Sequence, residues 1–452
     1  MATRIQTSQV VVWILLLAVV AVGLRNFERG MSSDAPLYAS IARNIVQSHN
    51  WLDLESGIGD FHPYVEHPHL GYWVLAAVFS VLPAEDWSAR IPGCLFYVLT
   101  QGLLFFFIRK RFSEKAAVWT VLLLWSWSRY SNFFSNVYLD PGCVFFGLLA
   151  VVMMNFRRPA LSGLALAFSI LYKGLAGMGF VPVLVWVCAT RVKEKRVRAA
   201  AKFLLAFAAP HFVYWLVLQR SHTPNFLELY WERQMTHRFL ELVVITKLIS
   251  WRGWGELMQD TYYLLLLVPL AFFLSKNRRG LIVPGILLVV YCLLFAKSNL
   301  SGEQYWLAVM PWVAWILADG LFARIPWEPE RVRKVTGAFA VIAIFWVQYI
   351  PFNMHRLPVP EEVKEIQRRS GGPLVLMVPR GDIEFLHASR LAWYANVKVL
   401  YHRDKEKPLV VVPSGGLTLH ATEFGPAELK ANGLCRGPLF KYSELWVSCQ
   451  AG

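Results

Sequence analysis

The sequence predicts an α-helical polytopic membrane protein with a small α/β domain at its C-terminal end. Three observations carry that prediction. Apolar runs of about 17 to 25 residues recur through residues 1–354, the length a helix needs to cross a bilayer. Short basic clusters separate those runs and fall at alternate ends of them, as the positive-inside rule requires. Beyond residue 354 the pattern changes to short β-like runs among polar, helix-like stretches.

The composition agrees. The chain of 452 residues is 56% hydrophobic and 17% charged, with a mean hydropathy of +0.42. Its net charge of +15 would suit nucleic acid, but the basic residues sit between apolar runs, so topology explains them and no nucleic-acid partner is expected. The 19 Trp, 17 Tyr and 30 Phe fit interfacial belts and aromatic-lined lipid grooves. Of the six cysteines, Cys94, Cys143, Cys188 and Cys292 lie in apolar segments and read as small hydrophobes. Cys435 and Cys449 lie in the polar tail, where an oxidising compartment would permit a disulfide.

Taken in order, residues 10–24 form the first span, preceded by Arg4 and no acid, which puts the N-terminus in the cytoplasm. The loop that follows, within 25–89, is the first long polar segment. It holds Asp34, Asp53, Glu55, Asp60 and Glu66 with His49, His62, His67 and His69. Leu37, Ile41 and Ile45 have helical spacing, which predicts a helix lying on the membrane surface. Residues 70–82 are apolar but short, which reads as interfacial or re-entrant rather than as a full span.

Spans are then expected at 90–108, 116–130, 138–155, 160–172, 175–190 and 199–218. A second polar loop at 219–255 carries ELYWERQMTHRF. Spans at 257–274, 281–296, 304–321 and 335–352 complete a count of about eleven, which leaves residues 355–452 outside as the α/β domain. Residues 1–354 then form the membrane part, and its outer helix ends collect the informative polar groups. These are Asp34, Asp140 in LDPG, Lys173 in YKG, His237 with Arg238, Lys297 and Tyr305. Carboxylates, cations and aromatics at one membrane face suit chemistry on a lipid with a charged head group. Transporters place ionisable groups near mid-membrane instead.

DAPLYASIARNIVQSHNWL followed by VEHPHLGYW resembles the first outer loop of the C-type (GT-C) glycosyltransferases. The nearest branch holds the protein O-mannosyltransferases and the lipid A aminoarabinose transferases. YLDPGCVFF, LYKGLAG and FAKSNLSGEQYWLAVMPWVA match further motifs of that group in the expected order. The chain departs from the pattern at Ala35, which follows Asp34 where an acid is usual. It departs also at His67 for Lys, at His69 for the second Pro, and at the missing Pro of LYKGLAG. These positions bear on the sugar and on phosphate binding more than on the reaction class.

The resemblance implies inverting transfer of a sugar from a polyprenyl-phosphate donor to a lipid, glycan or protein acceptor. The site would face the periplasm of a bacterial inner membrane. It makes Asp34 the base and Asp140 its support or a sugar ligand, with Lys173, Arg238 and Lys297 on the departing phosphate. Tyr72 and Tyr305 would line the donor groove. It also implies a divalent metal ion between Glu66 and His237. From the residues alone, the HxxxEHxH histidines of the loop read as solvated or hydrogen-bonded rather than as a ligand set. Two other function classes compete. A transporter or flippase predicts internal repeats and broken helices near mid-membrane, and a lipid-binding scaffold predicts dispensable loop carboxylates.

Overall fold

The structure is a computed structural model. It describes residues 31, 34–56, 64–191, 196–223, 226–232, 234, 263–286, 288–289 and 307–324, and in the C-terminal part 374–379, 393, 398–402, 417–421, 439–442 and 445–449. The chain divides into two compact units. The larger holds Met1–Phe27, Glu66–Gly71 and Arg90–Asn353, and the smaller holds Glu28–Val65, Tyr72–Ala89 and Met354–Gly452.

The helices are α1 (Ala35–Ser48), α2 (Leu70–Phe79), α3 (Asp86–Arg111), α4 (Glu114–Ser126), α5 (Ser128–Phe134), α6 (Asp140–Asn155) and α7 (Pro159–Lys173). A 3-10 segment at Gly174–Phe180 leads into α8 (Val181–Arg191). Then come α9 (Arg196–Leu218), the short α10 (Phe226–Tyr230), α11 (Tyr263–Leu274) and α12 (Met310–Gly320). Among the described residues, Asp86–Arg111 and Val197–Leu218 are long and apolar enough to cross a membrane, and α2, α6, α7 and Ala176–Ala189 are shorter apolar helices. The first span and that at 335–352 lie outside the described residues, as does half of the span at 281–296.

In the larger unit, sequence punctuation sets the helix ends. Ser113 caps α4 by accepting from the Ala116 amide at 3.0 Å, and α6 and α7 each open with a proline in the first turn. The expected span at 116–130 is interrupted: Trp127 takes an extended backbone (φ −81°, ψ 100°) and divides α4 from α5. Hydroxyls join α7 to α6, with Ser162 donating to the Ala150 carbonyl at 2.7 Å and Ser169 to the Cys143 carbonyl at 2.8 Å. Gly163 gives α7 its close approach to α9, because a Cβ there would run into the Phe203 carbonyl. Arg111, in the basic last turn of α3, donates to the Asn155 carbonyl at 2.7 Å and stacks on Phe156, closing the C-terminal end of α6.

In the smaller unit, α1 is the helix expected from the spacing of Leu37, Ile41 and Ile45, and all three are buried. Every residue from Ala35 to Arg43 is buried, the polar Ser40 and Arg43 included. Its pattern is that of a packed helix, with Ser40 turning its hydroxyl back to the Pro36 carbonyl at 2.8 Å. His49 ends α1 in the left-handed region (φ 54°). Asn50 then builds a turn, its Oδ1 accepting from the Leu52 and Asp53 amides at 3.1 Å each.

The C-terminal part contributes strands β1 (Leu374–Pro379), β2 (Lys398–His402), β3 (Leu417–Ala421), β4 (Leu439–Tyr442) and β5 (Leu445–Cys449). They form one sheet in the order β2-β1-β3-β5-β4. β1 runs parallel to both its neighbours, with Val375 opposite Lys398 and Leu374 opposite Leu417, and β3-β5-β4 is antiparallel. The expected strands LVLMV and VKVLY are β1 and β2. The expected strand LVVV, and residues 383–394 apart from Trp393, lie outside the described residues, as does the question of a Cys435–Cys449 bridge.

Candidate functional site

Three sequence motifs meet in the larger unit. Asp140 is the first residue of α6, and Lys173 is the last of α7. Their side chains form an ion pair at 2.5 Å, with 4% and 3% of each exposed. Asp140 is therefore not the cap of its helix: Leu139 holds that position, and the carboxylate is turned to the lysine instead. α7 stops at Gly174 because the backbone turns there to φ 65°, where glycine carries no Cβ penalty.

The segment Glu66–Gly71 packs at this pair. A Cβ on Gly71 would meet Leu139 and Tyr172, the residues beside Asp140 and Lys173, and a Cβ on Gly174 would meet the Tyr230 hydroxyl and Pro68. The VEHPHLGYW, LDPG and YKG motifs thus lie together, with the second polar loop joining them through α10. Gln234 of that loop donates its amide to the Glu66 carboxylate. His69 is fully buried, its Nδ1 2.7 Å from the Tyr214 hydroxyl and its ring 4.8 Å from Phe226. Hydrogen bonding is the reading the sequence favoured for this histidine. Neither Gln234 nor Tyr214 was singled out from the sequence. The polar loop flagged the neighbourhood, but pairing over 168 and 145 residues leaves no local signal.

The smaller unit holds the other candidate carboxylate. Asp34 caps α1 without a side-chain bond to its amides, and Tyr38 donates to its Oδ2 at 3.5 Å. Tyr38 meets Tyr72 edge-to-face at 5.7 Å, and Tyr72 meets Tyr64 likewise at 5.8 Å. Tyr72, expected to touch the donor, is wholly buried and donates its hydroxyl to Tyr64 at 3.2 Å. Its place is in this aromatic chain behind Asp34.

Arg238, His237, Lys297 and Tyr305 lie outside the described residues. Among the described residues no group of three His, Cys, Asp or Glu side chains could hold a metal ion. Glu66 is the described member of the expected metal pair.

The profile of the dolichyl-phosphate-mannose-protein mannosyltransferase family matches residues 66–215. That stretch runs from Glu66 to just past Tyr214 and contains both Asp140 and Lys173. A search of curated proteins returns no match. Among solved structures, ArnT from Cupriavidus metallidurans in the apo state matches with a TM-score of 0.69 at 16% identity, over 98% of this chain and 98% of that chain. The same protein bound to undecaprenyl phosphate matches with a TM-score of 0.65 at 16% identity, over 97% and 98%. The Archaeoglobus fulgidus oligosaccharyltransferase in the apo form matches with a TM-score of 0.50 at 12% identity, over 88% of this chain and 64% of that chain. The expected resemblance thus holds in sequence profile and in architecture: the chain has the fold of the C-type glycosyltransferases.

Proposed function

We propose that the protein is an inverting glycosyltransferase that moves a sugar from a polyprenyl-phosphate donor to a lipid, glycan or protein acceptor. It works at the outer face of the membrane it spans, which we read as a bacterial inner membrane. The observation that carries this reading is the gathering of Glu66–Gly71, Asp140 and Lys173 in one cluster within the stretch matched by a mannosyltransferase profile. The match to a structure that holds undecaprenyl phosphate supports the donor class.

In the transfer the acceptor oxygen attacks the anomeric carbon, the bond from that carbon to the phosphate oxygen breaks, and the phosphate leaves with the electron pair. Asp34 takes the proton of the acceptor hydroxyl, or orients the acceptor oxygen. A helix N-terminus favours the ionised carboxylate that this needs. Lys173, Arg238 and Lys297 stabilise the departing phosphate. Asp140 fixes the Lys173 ammonium in place, so that no reorganisation is needed as charge develops. Tyr305 lines the groove for the donor's lipid, and Tyr72 acts through Tyr38 on Asp34. Glu66 and His237 would hold a divalent ion, and Gln234 would orient the carboxylate for it. Such an ion would supply positive charge to the departing phosphate.

Mass spectrometry of membrane glycolipids, with and without the protein, tests the reading. Loss of the protein should leave an unmodified acceptor and an accumulated polyprenyl-phosphate sugar. Identical glycolipids in both membranes would overturn it.

A further inference from the structure

Trp393 is a single residue of the C-terminal segment, and it meets three elements of the first polar loop. All of them belong to the smaller unit. Its carbonyl accepts from Arg43 Nη1 at 2.7 Å, and the Arg43 guanidinium lies over its indole, 5.3 Å from the ring centre. Phe79, the last residue of α2, stacks on the same indole with centres 5.7 Å apart and planes 20° apart. The indole N–H donates to Asp86 Oδ1, in the first turn of α3, at 2.8 Å. Trp393 is 5% exposed and Arg43 is 9% exposed. Burial pulls the Arg43 guanidinium down to about 10, which leaves it cationic at neutral pH.

Four contacts of different chemistry therefore converge on this tryptophan. A guanidinium lies over the indole, a phenyl ring stacks on it, a carboxylate accepts from the indole N–H, and the backbone carbonyl accepts from a charged donor. Arg43 lies nine residues after Asp34 on α1, about 13 Å along the helix axis. Asp34 caps the same continuous helix, buried from Ala35 to Arg43, so a contact that holds Arg43 also holds the backbone that carries the Asp34 carboxylate.

We infer that Trp393 is a positioning residue of the transfer reaction, a latch by which the C-terminal segment holds α1 and hence Asp34 in register. The inference rests on the proposed activity for its kinetic consequence, while the latch itself is structural. A base misplaced by an ångström loses about 10²-fold in rate, so the latch acts on kcat rather than on donor binding.

The test uses the full-length protein in lipid vesicles, with Trp393→Leu, Arg43→Leu and the double variant. Hydrogen exchange over residues 35–48 and 79–89 reads the latch without reference to catalysis. Transfer from a polyprenyl-phosphate sugar reads its effect on the reaction. Each single variant should raise exchange in both segments and lower kcat by about tenfold to a hundredfold, with KM for the donor unchanged. The double variant should lose no more than the worse single, because both substitutions open the same joint. Where Trp393→Leu gives no folded protein, the milder Arg43→Gln is judged by the same criteria. Wild-type exchange and kcat in the Arg43 variants, or losses that add, would overturn the latch. If wild-type protein transfers no sugar but the variants still raise exchange, the latch stands and the assigned reaction falls.

Discussion

Two carboxylates begin two helices of this chain, each with a proline close behind it, and they are treated differently. Asp140 precedes Pro141 in the larger unit and is buried against the Lys173 ammonium at 2.5 Å. Asp34 precedes Ala35 and Pro36 in the smaller unit and keeps partial exposure, with a phenol hydroxyl 3.5 Å from its Oδ2. The ammonium offsets the cost of holding the Asp140 carboxylate out of water. Asp34 keeps access to solvent, which a group that must exchange a proton requires. The same local sequence device, an acid ahead of a proline at a helix start, thus yields an electrostatic anchor in one unit and a candidate base in the other.

Breaking the ion pair tests the first half of that comparison and should give the largest effect on stability. Lys173→Met removes the ammonium that pairs with the buried Asp140 carboxylate and should cost about 3–5 kcal/mol, read as a lower thermal midpoint in detergent. Asp140→Leu combined with Lys173→Met should recover much of that loss, because removing both charges removes the penalty as well. Recovery of stability without recovery of transfer would show that the pair serves the reaction. A further loss in the double variant would contradict the pairing.

Gln234→Ala removes an amide that donates to the Glu66 carboxylate, a charge-assisted bond worth about 1.5–3 kcal/mol. Metal analysis of the purified protein sharpens this prediction. A bound divalent ion in the wild type, weakened in Gln234→Ala and lost in Glu66→Gln, is expected if Glu66 is a ligand. The smallest effect belongs to Tyr214→Phe, which deletes the partner of His69 Nδ1 and should cost about 1–3 kcal/mol, the penalty for leaving a buried imidazole nitrogen unsatisfied. Thermal unfolding of the single variant measures it, and an unchanged midpoint would contradict the bond.

Much of the larger unit was legible because hydrophobic length and punctuation are local signals. The expected spans at 90–108, 138–155, 160–172 and 199–218 correspond to α3, α6, α7 and α9. The order of motifs also places Glu66, Asp140 and Lys173 in one family pattern. What the sequence could not carry was pairing. Asp140 and Lys173 were assigned separate tasks, since nothing in LDPG or YKG states that the two side chains meet. Trp127 reads as one more aromatic in an apolar run, so the break between α4 and α5 leaves no trace in composition. Arg43 carries no local signal of its role, because its partner Trp393 lies 350 residues away along the chain.

The difference between the two carboxylates is tested most directly by Asp34→Asn in purified protein reconstituted with a polyprenyl-phosphate sugar. Asparagine keeps the size and hydrogen-bonding capacity of the side chain but cannot accept the acceptor's proton. The account predicts a thermal midpoint and donor KM like those of the wild type, with release of polyprenyl phosphate slowed by about 10²- to 10⁴-fold. Release at the wild-type rate by Asp34→Asn would contradict it.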